Sequence, residues 1–284
     1  MPESVIDAHV HWWRLTEHDW YPGLPAWADA LPAGVGDGFN RDFDVTDYRA
    51  AAPMEVSGFV HVSAVTTPRT YLEELAWVEG EADRHGVDVR IVGTVDPTLP
   101  EADLRADLDR QAESSRFAGV RVLYGFEPDS PAVAPVLTWL AEHDKVFDLV
   151  CHPHQVDGWL RALAAHPGLR IVLEHTGWPE SADDFGGWRD GMRRLASETS
   201  MSCKLSGLGM ALMDVSVDTL RPWVEAAVDT FGLDRLLFGS NIPIETMGGS
   251  LAQLVGALDT IFDGAPPDGL EGFWRGNSAA VYGF

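Results

Sequence analysis

Cysteine is scarce: Cys151 and Cys203 are the only two in 284 residues, so no disulfide framework organises the chain. Both sit in apolar runs that read as buried strands. Two inert core thiols are expected there rather than a bridge, and a reducing, cytoplasmic setting suits them. Long hydrophobic runs are also missing. No stretch reaches the ~18 apolar residues needed to cross a bilayer, and Met1-Pro2-Glu3-Ser4 lacks the positive and apolar regions of a signal peptide. A soluble protein without a membrane partner is expected. Positive charge is in short supply, with 20 Lys and Arg against 44 Asp and Glu and a net charge of -24. Such a field repels phosphate backbones, which excludes nucleic acid as a partner and reads as a solvated acidic surface. There is no low-complexity tract, no linker-like shift in composition and no repeat longer than a strand–helix unit. Residues 1–284 are therefore read as a single domain.

What is present is a rhythm. Short apolar runs rich in β-branched residues span 5–11, 56–64, 89–95, 117–123, 146–152, 169–175, 201–206 and 236–240. Continuous apolar runs suit strands covered on both faces, as in a parallel sheet. Amphipathic stretches separate them, at 71–85, 101–114, 132–143, 156–165, 188–197, 218–231, 251–262 and 270–281. Ser130-Pro131 and Ser250 read as helix starts. Eight strands alternating with eight helices predict a closed (β/α)8 TIM barrel, an α/β fold. One segment breaks the pattern. From His18 to Phe43 the chain is rich in Trp, Pro, Gly and Ala without a sustained period, and Trp20, Tyr21 and Trp27 argue against disorder. A long aromatic-rich loop after strand 1, packed over the barrel mouth, is expected, with Trp20 as a substrate contact.

Barrel enzymes carry their chemistry at the C-terminal ends of the strands. His9 and His11 end the first strand, and residues i and i+2 share a face, so both imidazoles can converge inside the mouth. Asp7 lies on the same face, one pleat deeper, placed to orient a histidine. His175 ends strand 6. His61 on strand 2, and His152 and His154 around the end of strand 5, are equally readable as site or as structure. His18, His85, His143 and His166 fall in a loop or late in helices. Lys204 is costly to bury unpaired in an apolar strand. It reads as a substrate anchor, with an internal ion pair as the alternative. Arg121 is the best-placed basic residue for a local anion site. In strand 8, Gly239-Ser240-Asn241-Ile242-Pro243 followed by Glu245 reads as an active-site rim.

The segments Ile6-Asp7-Ala8-His9-Val10-His11, Phe117-Ala-Gly-Val-Arg121 and Pro167-Gly-Leu-Arg-Ile-Val-Leu-Glu-His175-Thr-Gly stand in order along the chain. Cys203-Lys-Leu-Ser-Gly207, Leu237-Phe-Gly-Ser-Asn-Ile-Pro243 and Gly276-Asn-Ser-Ala-Ala-Val-Tyr-Gly283 follow them. Together they resemble the amidohydrolase-related family, in particular its sugar-lactonase branch, over nearly the whole chain. The resemblance implies His9, His11 and His175 as ligands of one divalent ion, Zn2+ first, or as metal-independent polarisers of a lactone carbonyl. It implies Arg121 and Lys204 as groups that hold a substrate carboxylate or hydroxyl; His61, His152 and His154 are candidate substrate contacts from their strand-end positions alone. In the family a strand-8 aspartate commonly serves as general base, but this chain has Asn241, and an amide takes no proton at neutral pH. Glu245 is then the first choice of replacement base, with Asp7, Glu174 or a histidine as alternatives.

The reading is a hydrolase that opens a lactone or related cyclic ester of a small oxygen-rich substrate. The alternatives are a metal-dependent nonoxidative decarboxylase or a biosynthetic cyclase or isomerase on the same barrel, and a ligand-binding protein without turnover. The partner is a small molecule; assembly into a homo-oligomer is left open.

Overall fold

The computed structural model describes residues 1–65, 67–180 and 182–284. Its frame is one sheet of eight strands in chain order: β1 Ser4–Val10, β2 Glu55–Val62, β3 Val89–Gly93, β4 Phe117–Arg121, β5 Val146–Leu149, β6 Arg170–Leu173, β7 Ser202–Leu205 and β8 Leu236–Phe238. Every neighbouring pair from β1 to β8 is parallel. The sheet closes on itself just beyond β8. There Val10 bridges Ile242 in parallel, His11 N donates to Ile242 O at 3.0 Å, and Asn241 N donates to His9 O at 2.8 Å. The barrel predicted from the alternating pattern is the barrel formed, and its seam runs through residues singled out for chemistry.

The helices are α1 Gly23–Ala30, α2 Val45–Ala51, α3 Tyr71–His85, α4 Glu101–Gln111, α5 Val133–Glu142, α6 Val156–Leu163, α7 Phe185–Glu198, α8 Leu208–Leu212, α9 Val217–Phe231, α10 Leu251–Ile261, α11 Pro267–Glu271 and α12 Asn277–Tyr282. Their starts follow capping chemistry. Asp44 and Asp47 form a reciprocal box at α2, as Ser250 and Gln253 do at α10, and Ser216 accepts from Thr219 N at α9. Ser130-Pro131 falls one turn short of α5: the Ser130 carbonyl accepts from Val133 N, the first residue of that helix. The last predicted helix is interrupted by a wide turn at Gly272–Gly276. Beyond it, the Asn277 side chain donates to Leu233 O and Leu236 O, both at 2.7 Å, and ties α12 to the start of β8.

Strand alternation sorts the core into two parts. One apolar cluster joins Phe59, Ile91, Phe117, Phe147, Leu173 and Phe238 to residues of the surrounding helices. The other holds the opposite face of the strands, with Ala8, Val60, Val62, Val92, Ala118, Val146, Val172 and Leu237 around Tyr282 from α12. The tyrosine fills the barrel interior, and its hydroxyl donates to Asp148 at 2.8 Å. Cys151 and Cys203 are free and buried, and burial pushes the Cys151 thiol up to about 12. Among the described residues no helix is long and apolar enough to cross a membrane.

Candidate active site

The loop 18–43 is more ordered than its composition suggests, because it contains α1. Gly23, Leu24 and Trp27 form part of the wall of a cavity of about 710 Å³ at the C-terminal mouth of the barrel. Trp13, Arg121, His152, Trp178 and Glu180 supply other parts of the wall, and His11, His175 and Asn241 face it. Trp20 is not a lining residue. It stacks on His18 with ring centroids 3.9 Å apart and packs outside the cavity, while Trp27 of the same segment faces in.

Asp7 does not orient an imidazole. It accepts from His9 N at 3.0 Å, Ser240 N at 2.8 Å and the Tyr48 hydroxyl at 2.6 Å, and so knits β1 to the end of β8. Above that seam, His9 Nε2 meets His11 Nε2 at 3.2 Å. The His9 and His175 rings lie 4.5 Å apart. His11 Nδ1 contacts Val62 O at 2.7 Å; a carbonyl can only accept, so Nδ1 carries the proton and Nε2 is left as the basic atom. Burial holds all three imidazoles well below their ordinary pKa, reinforced by Lys204 at His9 and by Arg121 at His11 and His175. Burial and the nearby cations thus favour the neutral form of each imidazole.

His175 reaches this place through unusual backbone. His175, Thr176, Gly177 and Trp178 take φ values of 50, 54, 69 and 48°, a strained run for residues with side chains. Trp188 Nε1 donates to Thr176 O at 2.7 Å and Thr176 Oγ1 to Ser206 O at 3.2 Å, which holds the turn. His175 Nδ1 then lies 3.1 Å from Ser206 Oγ. Glycine is required opposite: a Cβ at Gly207 would come within 2.6 Å of His175 Nδ1, and one at Gly239 within 2.9 Å of His9 Cβ.

Below the imidazoles lies a charged layer. Lys204 is fully buried, does not line the cavity, and is ion-paired with Asp148. Its Nζ is also 3.6 Å from Glu174 Oε1 and 3.4 Å from His9 Nδ1. The expected substrate anchor is thus an internal cation, because two buried carboxylates converge on it from β5 and the end of β6. Arg121 is partly committed in the same way, to Glu174 Oε2 at 3.4 Å and to Ser63 O at 2.5 Å, although it still borders the cavity.

The remaining candidates separate. His61 is buried under Trp12, with Nε2 3.3 Å from the Trp12 carbonyl, and burial lowers its pKa to about 4; it does not line the cavity. His152 does line it, with Nδ1 3.0 Å from Glu180 Oε1, whereas His154 is exposed outside it at 3.6 Å from the same oxygen. Asn241 faces the cavity, but Glu245 sits behind it. Glu245 accepts from Gly209 N at 2.6 Å, Met210 N at 3.3 Å and Asn241 Nδ2 at 3.2 Å. A carboxylate so enclosed has no path to a substrate water. Residues not proposed for the site from the sequence include Asp148, Ser206, Trp13 and Trp178. Of these, Asp148 had a signal of its own: a carboxylate in an otherwise apolar strand needs a buried partner, as Lys204 does.

A family model described as Amidohydrolase matches residues 6–284. The chain belongs to the amidohydrolase family. This amidohydrolase is 30% identical to an L-fucono-1,5-lactonase of Burkholderia ambifaria, over 86% of this chain and 82% of that one. It is also 30% identical to an uncharacterized protein of Sinorhizobium fredii, over 98% of each chain. The crystal structure of an amidohydrolase from Burkholderia multivorans with bound zinc shares the fold, with a TM-score of 0.78, 23% identity and 98% coverage of both chains. The chain is therefore an enzyme of the hydrolase type, and lactone hydrolysis fits it at a general level.

A divalent ion is compatible with the donors present in this amidohydrolase. His9, Glu174 and His175 are buried and each offers an atom within 4.8 Å of the others. The set of two imidazoles and a carboxylate suits such an ion, and Glu174 Oε1 has no hydrogen-bond partner although it is buried.

Proposed function

We propose that this enzyme hydrolyses a neutral, hydroxyl-rich lactone, by attack of water on a ring carbonyl held against His11 and His175. The observation that carries the reading is the charge pattern of the cavity. Among its described lining residues Arg121 is the one Lys or Arg, and it is already bonded to Glu174 and Ser63; Glu127 and Glu180 stand on the wall. A dicarboxylate would meet acidic side chains and no uncommitted cation. A neutral sugar-like lactone meets indole faces for its C–H surface and carboxylates for its hydroxyls. Ring opening converts the neutral substrate into an anion, which the same walls repel.

The residues divide the work. Asn241 accepts a hydrogen bond from the attacking water and aims it, since its amide takes no proton. The incoming water displaces His9 Nε2 from its 3.2 Å contact with His11 Nε2, and His11 Nε2 then removes the water proton as the oxygen–carbon bond forms. The Val62 carbonyl at Nδ1 favours the resulting imidazolium. His11 then returns the proton to the ring oxygen as the carbon–oxygen bond of the tetrahedral adduct breaks. The layer of Lys204, Asp148 and Glu174 fixes the imidazoles in place. A divalent ion, held by His9, His175 and Glu174, would supply polarisation of the carbonyl.

The test is a screen of the purified enzyme, with its metal content measured, against 1,5-sugar lactones, a pyrone dicarboxylate and hydroxybenzoates. Turnover of neutral lactones, reduced about 10²- to 10⁴-fold in His11→Ala, is the expected result. Decarboxylation of the aromatic acids without lactone opening, or preference for the dicarboxylate, overturns the reading.

A further inference from the structure

We infer that Glu245 is a positioning residue: its carboxylate turns the Asn241 side chain so that the amide oxygen, not the NH2, faces the cavity. The argument is an inventory of donors and acceptors. Burial raises Glu245 to about 7, but the hydrogen bonds it accepts pull the other way and favour the carboxylate. An ionised carboxylate only accepts, and Glu245 is surrounded by donors. Gly209 N lies 2.6 Å from Oε1, Met210 N 3.3 Å from Oε2, and Asn241 Nδ2 3.2 Å from the same oxygen. The two backbone donors belong to the first residues of α8, and a Cβ at Gly209 would come within 2.8 Å of Glu245 Oε1, so the chain is moulded around the carboxylate. Asn241 is held from the other side as well. Its φ of 54° and the bond from its N to His9 O at 2.8 Å fix its backbone at the barrel seam. With Nδ2 directed at Glu245, Oδ1 is left for the cavity that Asn241 lines.

This arrangement also accounts for an amide at position 241. An aspartate there would set two carboxylates in the 3.2 Å contact now made by Nδ2, and like charges that close do not both ionise. Asparagine at 241 and glutamate at 245 are therefore one unit, which presents a fixed acceptor oxygen to the attacking water. The inference rests on the lactonase reading for its catalytic consequence, but not for its geometry.

Glu245→Gln reverses the polarity. The new amide oxygen is retained by Gly209 N, the closest donor, so its NH2 gives up the longer Met210 N contact, faces Asn241 and draws the asparagine oxygen away from the cavity. On a lactone, kcat is expected to fall about 100-fold with KM changed less than threefold. Adding Asn241→Asp to that variant restores an oxygen facing the cavity, while the second carboxylate oxygen accepts from the new side-chain NH2. At least a tenfold recovery of kcat is expected. Full activity in Glu245→Gln, or no recovery in the double variant, overturns the inference. A readout independent of substrate is exchange of the Asn241 side-chain NH2 in protein labelled with 15N-asparagine, where Asn40 and Asn277 are the other two asparagines. Slow exchange in the wild type and at least tenfold faster exchange in Glu245→Gln is expected. Equal rates overturn the inference even if no lactone is turned over, whereas slow, Glu245-dependent exchange without lactone turnover overturns only the lactonase reading.

Discussion

Replacing Lys204 by methionine separates an internal cation from a substrate anchor. The ammonium is fully buried and ion-paired with Asp148, which is itself fully buried. In Lys204→Met, Glu174 keeps Arg121 at 3.4 Å, but Asp148 keeps only the Tyr282 hydroxyl at 2.8 Å among the bonds described for its side chain. Breaking a buried pair by removing one partner leaves an uncompensated charge and costs about 3–5 kcal/mol. For a domain of this size that lowers Tm by roughly 10 °C. Neutralising the stranded carboxylate removes most of the penalty, so Lys204→Met/Asp148→Asn should recover more than half of the loss. The assay is chemical denaturation of the wild type, both single variants and the double variant, analysed as a double-mutant cycle. Alongside it, steady-state kinetics on the best lactone of the screen should show a fall in kcat, because Lys204 also contacts His9 Nδ1 at 3.4 Å. A Lys204→Met protein within about 1 kcal/mol of the wild type with KM raised tenfold or more would refute the reasoning and return the lysine to the substrate.

Two further outcomes are expected. Burial raises Glu74 to about 7, against hydrogen bonds from Ser63 and Tyr21 that pull the other way. The native carboxyl therefore holds its proton across a range where the unfolded one, at 4.5, has lost it. This group's contribution is greatest below pH 4.5 and falls by roughly 3 kcal/mol as pH rises to 7. Glu74→Gln should flatten that part of the stability curve, read by urea unfolding from about pH 5 to 8; an unchanged slope would sink the assignment. Trp27→Ala removes an aromatic wall that packs on Phe39 at 4.9 Å, and should raise KM for lactones about two- to tenfold while moving Tm little. Unchanged KM would show that α1 does not touch the substrate.

The barrel was readable because its physics is local and periodic. Continuous apolar runs covered on both faces gave all eight strands, each within a few residues of its observed ends. The helix α1 escaped that reading, although Leu24, Trp27, Ala28 and Leu31 hold the helical spacing i, i+3, i+4, i+7 and pack on the core. Its short length and the surrounding Pro and Gly masked the period. The roles of polar residues were less legible. His9, His11 and Asn241 meet because the closing seam bonds His9 O to Asn241 N and His11 N to Ile242 O, contacts between opposite ends of the chain, while His175 joins them from the end of β6 through the left-handed turn that Trp188 holds.

Sequence alone determined the architecture, the strand ends that carry polar groups, and the amide at position 241, since all of these follow from pattern and residue chemistry along the chain. Tertiary structure decided which of those groups face the cavity. A strand specifies the face on which a side chain lies, but not its depth in the barrel or what arrives opposite it. For Lys204 the arrivals are Asp148 and Glu174, for Glu245 the N–H groups of α8, and for Asp7 the backbone of β8's end. Each group is held by neighbours distant in sequence, and electrostatic complementarity at close range sets what each can do.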